Sequence, residues 1–532
     1  MRLSAARGVQ ADKRLRLATH PVSIATLLAL FTFTVCYFRS FIFPHVPLVP
    51  GGDQLDFVFD GSRILAGQLP YRDYFEVVPP GADLTYALLI KLFGLYAGIG
   101  WLVMACLAAA TVLLMTVVTE RLMRGAAIAL PGLLFTGFIL LESLDATHHW
   151  FSTLAAFGAM LILLNGISFP RIASAGALCG LAGCFTQTTG ATVVVGFVAY
   201  LVWKMRRTDA PAGVRWGKYL LLCGTAVAVF VAANAYFIRA AGLNQWLSCL
   251  VIYPLRYYGA PVVNNWRVVR YDFQWSPGAA RWIAFPFVYA TVPLVYIIFA
   301  IIMRRRGEKD RNEPWDQLLL LAITGFAMFL AIASEPSVKR LSTVSPPAMI
   351  LLTWLLTQPG KIKRRLEAIL GTLAVAVAIA VPVHNQTRWR AYLDLPAGRT
   401  AFPDPTKFSE YRWVLGHTHP GQFFFGMAPM YLPFHLQDPA AIVGFDASEY
   451  TRPKQVVALV RALENHSVPL MILPSSKKYP LVTGSPSDHL APFQDFLHKN
   501  YRRARTFRSG DEVWERIDSV AAASPRAPRN TD

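Results

Sequence analysis

Residues 51–81 read GGDQLDFVFDGSRILAGQLPYRDYFEVVPPG, and this acidic segment lies between two strongly apolar regions. Its five acids are opposed by only two basic side chains; the acids are Asp53, Asp56, Asp60, Asp73 and Glu76, and the bases are Arg63 and Arg72. The whole chain has only 32 acidic residues among 532, so this is a large share for one loop. Ionisable groups at a membrane are costly and tend to be functional. We therefore expect this loop to contribute to the active or binding site.

The composition is that of an α-helical polytopic membrane protein. Hydrophobic residues make up 54% of the chain and charged residues 16%, whereas soluble domains average about 25% charged residues. Apolar runs of membrane-spanning length recur from Pro21 to Val383, as expected for spanning helices. The net charge of +19 comes from basic clusters between these runs. That pattern indicates membrane topology, so we predict no nucleic-acid partner.

Charge distribution decides the topology after the first span, Val22–Phe43. The segments Ala82–Leu95 and Trp101–Val118 are both apolar, so they could be two spans, or one interfacial helix and one span. Lys91 in the first segment argues against a full span, and a single span keeps the following arginines in the cytoplasm. We therefore predict one interfacial helix, one span and about eleven spans in total.

This topology divides the chain into four regions. We expect a cytoplasmic N-terminus at 1–21 and a multi-span domain at 22–383 with an acidic first outer loop at 44–96. An extracytoplasmic soluble domain of α/β or α+β type follows at 384–520, and a disordered tail at 521–532. Pro453–Asn465 is predicted as a helix and Val468–Leu473 as a buried strand.

The predicted topology also collects candidate catalytic groups on one face of the membrane. The acids of the first loop share this face with Glu142, Asp145, His148 and His149. A carboxylate there could be a general base that deprotonates an acceptor, and Asp53 is best placed because it follows the first helix. The alternative is that these acids are solvated loop residues or helix caps.

The sequence contains no recognisable metal-binding motif. His148 and His149 are adjacent, so their side chains point in different directions on a helix, and no HxxxH or HExxH spacing is present. We predict no protein-bound metal and no certain cofactor, although a divalent cation held by carboxylates stays open. The six cysteines contain no CxxC pair, which argues against a thiolate site.

Two basic candidates for phosphate binding lie on the same predicted outer face. Lys339 and Arg340 occur in EPSVKRLS at 335–342, where basic residues are the exception. Arg256 occurs in YPLRYYG at 253–259. Such cations can hold a phosphate, and the alternative for both is lipid-headgroup anchoring beside tyrosines.

Asp53-Gln54, GQLPYRD at 67–73 and PPG at 79–81 together resemble the first outer loop of GT-C type glycosyltransferases. This superfamily includes protein O-mannosyltransferases and lipid A aminoarabinose transferases. The resemblance implies an inverting hexosyl- or pentosyltransferase that uses a polyprenyl-phosphate-linked sugar. It implies that Asp53 deprotonates the acceptor, that Asp145, or less well Glu142, is the second-loop acid, and that Lys339 and Arg340 hold the donor phosphate.

One departure from the family pattern concerns the acidic pair. The family has Asp-Glu where this chain has Asp53-Gln54, so Asp56 is the residue that could share the role of Asp53. The remaining substrate-binding candidates are Arg72, Asp73, Glu76, Glu142, His148 and Arg256. The expected partners are the donor, membrane lipids and a glycan, lipid or protein acceptor.

Two other functions fit the sequence. A transporter or flippase of a lipid-linked saccharide would share the spans and the phosphate-binding cations, but it would not need an acidic outer loop or an outer domain. A non-catalytic envelope assembly protein would make the loop acids incidental. The expected location is a bacterial inner membrane, with the endoplasmic reticulum as the main alternative, and with the site extracytoplasmic.

Overall fold

The computed structural model describes residues 21–208, 211–275, 282, 284–306, 314–357, 361–426, 428–440, 442, 445–446, 448–474 and 489–517. The predicted cytoplasmic N-terminus and disordered tail lie almost entirely outside these residues. The described part consists of a helical domain followed by a smaller domain that contains sheets.

Apolar helices dominate the chain up to Thr387. A backbone inside lipid must satisfy its hydrogen bonds within its own segment, which is why these apolar runs form helices. In order, the helices are α1 Pro21–Ser40, α2 Gln54–Leu65, α3 Gly81–Phe93, α4 Ile99–Leu122, α5 Leu130–Leu134, α6 His148–Leu164, α7 Phe169–Phe185, α8 Gln187–Arg206, α9 Ala212–Ala241, α10 Leu243–Leu247, α11 Tyr253–Arg256, α12 Val268–Trp275, α13 Ala284–Arg306, α14 Trp315–Ala331, α15 Val338–Val344, α16 Pro346–Leu356 and α17 Lys361–Thr387.

Five helices in the described part are long and apolar enough to cross a membrane: α4, α8, α9, α13 and the segment Arg365–Thr387 of α17. Six shorter apolar helices lie among them, over Ile24–Ser40, Leu130–Glu142, His148–Leu164, Phe169–Phe185, Trp315–Ala331 and Pro346–Leu356. The chain is therefore an integral, polytopic membrane protein. The number of eleven spans stays a prediction.

Small residues allow close helix packing in this domain. Added Cβ atoms at Gly176 and Gly180 of α7 would lie 2.5 and 2.4 Å from the carbonyl oxygens of Leu222 and Ala226 in α9. Lipid supplies no hydrophobic drive between helices, so such close backbone approach is a main source of their association. Replacement of either glycine by a larger residue would force α7 and α9 apart.

The first loop contains two short helices, α2 and α3, packed on each other. A Cβ at Gly61 of α2 would lie 2.8 Å from the backbone nitrogen of Ala87 in α3. Helix α3 has 13 residues, or about 20 Å at 1.5 Å per residue, which is too short for a hydrocarbon core about 30 Å thick. The 24-residue α4 then provides the crossing. These lengths favour one interfacial helix and one span.

The C-terminal domain is built around a four-stranded mixed sheet. Two short strands follow α1 in the N-terminal part of the chain, β1 Phe41–Ile42 and β2 Val46–Pro47. The strands of the C-terminal domain are β3 Ala391–Leu395, β4 Gly398–Phe402, β5 Phe425–Gly426, β6 Leu470–Leu473, β7 Tyr501–Thr506 and β8 Glu512–Arg516. The sheet order is β5-β6-β8-β7, with β5 parallel to β6 and the other pairs antiparallel. β3 pairs with β4 as a separate antiparallel hairpin.

The central strand β6 is buried on both faces. Leu470 and Ile472 join one apolar cluster, and Met471 and Leu473 join another. Helices α20 Pro453–Asn465 and α21 Ala491–Asn500 pack in the second cluster, while α18 Pro405–His417 and α19 Tyr431–Phe434 pack in the first. The predicted helix at Pro453–Asn465 and the predicted buried strand are confirmed. The domain is of α+β type.

Candidate functional site

Two cavities of about 460 and 480 Å³ meet where the first loop faces the C-terminal domain. The domain cavity lies between the first loop and C-terminal residues such as Tyr431, Asp438 and Tyr450. The helix cavity lies among the loop ends of α6, α12 and α15. Five residues line both cavities: Asp53, His149, Tyr258, Asn264 and Arg340. The predicted base therefore lies where the two cavities join.

The carboxylate of Asp145 ties the second loop to the first. Its Oδ2 accepts a hydrogen bond from the backbone N–H of Asp53 at 3.1 Å, and its Oδ1 accepts one from that of Gln54 at 2.9 Å. Lys339 Nζ also donates to Oδ2 at 2.8 Å. Asp145 is buried, and burial raises the pKa of its carboxyl, while Lys339 and the N–H of Gln54 oppose this shift. These contacts put the acids of both loops on one face of the membrane domain.

Gly52 makes this approach sterically feasible. Its φ is +82°, a conformation that L side chains rarely adopt, and an added Cβ would lie 2.4 Å from Asp145 Oδ2. Glycine has no Cβ and adopts such angles freely. The backbone before Asp53 can therefore lie directly against the Asp145 carboxylate.

Gln54 holds the same junction by neutral hydrogen bonds. Its Oε1 accepts from the N–H of Ala146 at 3.2 Å, and its Nε2 donates to the carbonyl of Gly51 at 2.9 Å. The side chain is fully buried, where an amide costs less than an unpaired carboxylate. Gln54 thus connects the two loops by hydrogen bonds, at the position where the family pattern has Glu.

The Asp53 carboxylate itself is exposed to the cavities. Asp53 is the N-cap of α2, yet its side chain makes no capping hydrogen bond. It is also in no ion pair within the residues that the structure describes. The alternative that this acid serves as a helix cap therefore does not hold, and its oxygens can accept a proton from a bound molecule.

The two predicted phosphate-binding cations lie on α15. Asp272 accepts from the backbone N–H of Val338 and from the hydroxyl of Tyr289, both at 2.8 Å, which anchors the start of this helix. Although burial opposes a charge on Lys339, the carboxylates of Asp145 and Asp53 raise its pKa above the ordinary value. The side chain of Lys339 is 49% exposed. A bound phosphate can therefore reach an ammonium group that is always charged.

Arg340 is more enclosed than Lys339. Its Nη2 forms an ion pair with Glu335 at 2.8 Å and donates to the Tyr258 hydroxyl at 2.7 Å. Burial raises the pKa of Glu335 to about 7, with Arg340 opposing the shift and Asp53 adding to it. An arginine has five N–H donors, so Arg340 keeps donors for another anion. Among the described lysines and arginines, Arg340 is the one that lines both cavities.

The domain cavity is mainly acidic. Asp56, Asp60, Glu76 and Asp438 line it together with Arg63. Asp56 is exposed to this cavity, and enclosure by the cavity walls, followed by the charges of Asp53, Asp60, Glu76 and Asp145, raises its pKa. Asp53, in contrast, lies beside the cations on α15, and its charge helps to raise the pKa of both Lys339 and Arg340.

His148 and His149 begin α6, buried beside the junction. His148 Nδ1 is 2.8 Å from Thr186 Oγ1, and the ring packs edge-on against Phe57. Both histidines line the domain cavity, and His149 also lines the helix cavity. Among the described residues, neither belongs to a cluster of potential metal ligands. Their positions fit hydrogen bonding and packing at the cavity wall.

Three predicted substrate-binding residues lie away from the junction. Arg72 and Asp73 form their own ion pair at 2.6 Å, and Asp73 caps the nearby N–H of Leu69. Arg256 is an exposed residue at the end of α11. None of the three is among the described residues that line the two cavities. Glu142, in contrast, lines the helix cavity.

Several residues that line the cavities were not predicted from the sequence. Tyr258, Asn264, Asp272 and Glu335 line the helix cavity, and only Glu335 carried a signal, because it is an acid five positions before Arg340. The C-terminal residues Tyr431, Asp438 and Tyr450 carried none. Their role depends on how the second domain packs, which no local pattern encodes.

No protein-family model matches this sequence, and no curated protein matches it either. Solved structures do match. ArnT from Cupriavidus metallidurans in the apo state gives a TM-score of 0.57 at 14% identity, covering 93% of this chain and 98% of ArnT. The same protein bound to undecaprenyl phosphate gives 0.56, also at 14% identity, covering 94% and 98%.

An archaeal protein has a similar structure as well. The oligosaccharyltransferase AglB from Archaeoglobus fulgidus, in complex with an inhibitory peptide and a dolichol-phosphate, gives a TM-score of 0.54 at 11% identity. The match covers 96% of this chain and 75% of AglB. ArnT, a lipid A aminoarabinose transferase, and AglB are both GT-C superfamily members. The similarity that residues 51–81 first indicated is thereby confirmed at the level of structure, and the chain has the GT-C fold.

Proposed function

We propose that this protein is a membrane glycosyltransferase that moves a sugar from a polyprenyl-phosphate-linked donor to an envelope glycan, lipid or protein acceptor. One observation carries the proposal. The free carboxylate of Asp53 lies where two cavities join, beside the cations of α15. A transferase needs this arrangement, because it must bring two substrates together at one general base.

The helix cavity suits the lipid-linked donor. It combines Lys339 and Arg340 with the apolar side chains of Trp150, Val268 and Phe285. Cationic N–H groups bind phosphate oxygens strongly, and apolar walls suit a polyprenyl chain. The binding of undecaprenyl phosphate by ArnT and of dolichol-phosphate by AglB supports a donor of this class.

The domain cavity suits the acceptor. It opens on the other side of Asp53 and is lined by polar groups and by the aromatic rings of Phe75, Tyr431 and Tyr450. Asp56 presents a carboxyl group there that can hydrogen-bond to an acceptor hydroxyl. Acidic and aromatic side chains are well suited to hydroxyl-rich molecules.

The proposed reaction is a single displacement at the anomeric carbon. The acceptor O–H or N–H gives its proton to Asp53 as its oxygen or nitrogen bonds to the anomeric carbon. The bond from that carbon to the phosphate oxygen breaks, and the electron pair leaves with the polyprenyl phosphate. Lys339 and Arg340 stabilise the developing phosphate charge. One displacement inverts the configuration of the sugar.

The proposed location is a bacterial inner membrane with the site on the extracytoplasmic face. This orientation keeps the basic loops of the chain in the cytoplasm. Transport of a lipid-linked saccharide is the competing function. The two functions differ in their need for Asp53, because only a transferase requires a base there.

The test is the composition of envelope glycans by mass spectrometry in matched strains of the native host. The strains carry a deletion, the wild-type protein, Asp53→Asn, or the control Asp394→Asn at equal protein levels. Asp394 lies on β3 with a side chain that is 89% exposed. We expect the deletion and Asp53→Asn to lose the same sugar and Asp394→Asn to keep it, and the lost sugar identifies a hexosyl or pentosyl donor. A deletion phenotype with normal glycans in Asp53→Asn would reject the transferase in favour of transport or assembly.

A further inference from the structure

A second acidic group lies in the first loop, separate from Asp53. Asp60 of α2, Glu76 of the following loop and Asp83 of α3 are all buried, and one carboxylate oxygen from each lies within 4.8 Å of the other two. Three carboxylates this close repel one another strongly in a buried setting. A local source of positive charge is therefore needed.

The Asp83 carboxylate is the most informative member. Asp83 is 0% exposed, and neither of its oxygens has a hydrogen-bond partner within the described part of the chain. A buried carboxylate without a partner is among the costliest arrangements in a protein. An isolated acid of this kind points to a ligand that supplies the missing contacts.

The other two acids are only partly satisfied. Glu76 Oε1 accepts from the N–H groups of Val77 at 2.6 Å and Val78 at 3.0 Å. Asp60 Oδ1 is 3.3 Å from Arg63 Nη1. The Arg63 guanidinium also lies 3.3 Å from Asp438, so its charge is shared. One shared arginine cannot neutralise three carboxylates.

We propose that Asp60, Glu76 and Asp83 bind a divalent cation of the hard class, which includes Ca²⁺, Mg²⁺ and Mn²⁺. Such ions prefer carboxylate oxygens, and the set contains neither the thiolate nor the imidazole that softer metals favour. Two positive charges, added to the partial contribution of Arg63, offset most of the charge of the three carboxylates. Asp60 and Glu76 line the domain cavity, which gives the ion a route from solvent.

Protons are the alternative source of positive charge. Burial raises the pKa of Glu76 to about 8 and that of Asp60 to about 6, and it raises the pKa of Asp83 as well. The Tyr74 hydroxyl is buried beside the same acids and has no partner among the described residues. Proton sharing would leave Asp83 without a hydrogen bond, whereas a cation satisfies all three carboxylates at once.

The cation would have a structural task. Its ligands come from α2, from the loop before Pro79 and from α3, so it would hold α2 and this loop, which line the domain cavity, against α3. Asp53 is the N-cap of α2, seven residues before Asp60. The ion would therefore hold the base in place without touching the reacting atoms.

The experiment uses the full-length protein in detergent, stripped of metal with a chelator and titrated with Mn²⁺. Bound Mn²⁺ is counted by electron paramagnetic resonance, and the melting temperature is recorded in parallel. We expect one tight site and a rise in melting temperature for the wild-type protein, for Asp53→Asn and for the exposed control Asp394→Asn. Asp83→Asn should bind at least tenfold more weakly and show no rise.

Two results would overturn the proposal: wild-type protein that takes up no Mn²⁺, or Asp83→Asn that binds as well as wild type. In either case the three acids share protons instead. If Asp83→Asn does not fold, Glu76→Gln replaces it, because a glutamine oxygen can still accept from Val77 and Val78, and it must show the same loss. No donor or acceptor is present, so the outcome is independent of the proposed transferase activity.

Discussion

Replacement of Gly52 by alanine is the sharpest test of the junction between the two loops. The new Cβ would lie 2.4 Å from Asp145 Oδ2 and 2.6 Å from its Cγ. Ordinary contacts begin near 3.4 Å, so the backbone or the carboxylate must move by about 1 Å. Either movement disturbs the hydrogen bonds from the N–H groups of Asp53 and Gln54 and the contact with Lys339.

The expected cost has two parts. Alanine at a left-handed φ costs about 1–2 kcal/mol. Weakening of hydrogen bonds to a charged group, each of which contributes roughly 1.5–3 kcal/mol, brings the total to about 3–5 kcal/mol. For the reaction, a misplacement of about 1 Å lowers the rate on the order of 100-fold, because Asp53 is the residue that follows Gly52.

Gly67 is the matched control in the same loop. Its φ is +86°, but an added Cβ would meet nothing within 4 Å. Gly67→Ala should therefore lose only the conformational part, about 1–2 kcal/mol, and keep its transfer rate. The measurements are the melting temperature in detergent and the glycan product per folded molecule. Normal transfer by Gly52→Ala, or an equal loss in Gly67→Ala, would refute the assigned role of the Asp145 contact.

Two further predictions concern charges around the cavities. Arg63→Met removes the ion pairs to Asp60 and Asp438, and loss of one partner from a buried ion pair costs roughly 3–5 kcal/mol. We therefore expect faster hydrogen exchange in strands β5–β8. Exchange rates equal to those of the wild type would contradict the proposed link between the domains through Arg63. Burial raises the pKa of Glu335 to about 7. The contribution of protonated Glu335 to folding stability is therefore fully present below pH 4.5 and is lost as the pH rises through 7. Below pH 7 the neutral Glu335 no longer compensates Arg340, so donor affinity should rise roughly tenfold from pH 8 to pH 6, equivalent to about 1.4 kcal/mol. Glu335→Gln should flatten this profile, and a slope that persists in this variant would assign the titration to another group.

Much of the membrane domain could be predicted because lipid leaves a chain few options. Apolar runs must become helices, and their order follows from hydropathy. The prediction that α3 is interfacial depended on Lys91, and the 13-residue length of this helix agrees with that prediction. The extents of helices such as α9 could not be predicted to the residue, since helix ends depend on caps and packing.

The sequence predicted which segments contribute to the site but not the contacts between them, because those contacts join distant parts of the chain. Asp145 pairs with Lys339 across 194 residues, and no local pattern selects that partner. In the sequence, Asp83 lies in a segment that we classed as apolar. Only the packing of α2 on α3 places its carboxylate close to that of Asp60. The sequence offered both Arg256 and Arg340 as phosphate-binding candidates, yet of these two only Arg340 lines both cavities.

The acids of the first loop therefore divide into two groups with opposite physical environments. Asp53 faces open cavity space and has no ion-pair partner within the described part of the chain, so its carboxylate is accessible to a bound molecule. Asp60, Glu76 and Asp83 are enclosed together, so each carboxyl group must either lie beside a cation or carry a proton. Under the two proposals above, the excess of negative charge in this loop serves one reactive position and one position that holds the surrounding backbone. A substitution that neutralises Asp53 should affect chemistry at constant stability, and one that neutralises Asp83 should affect metal-dependent stability first.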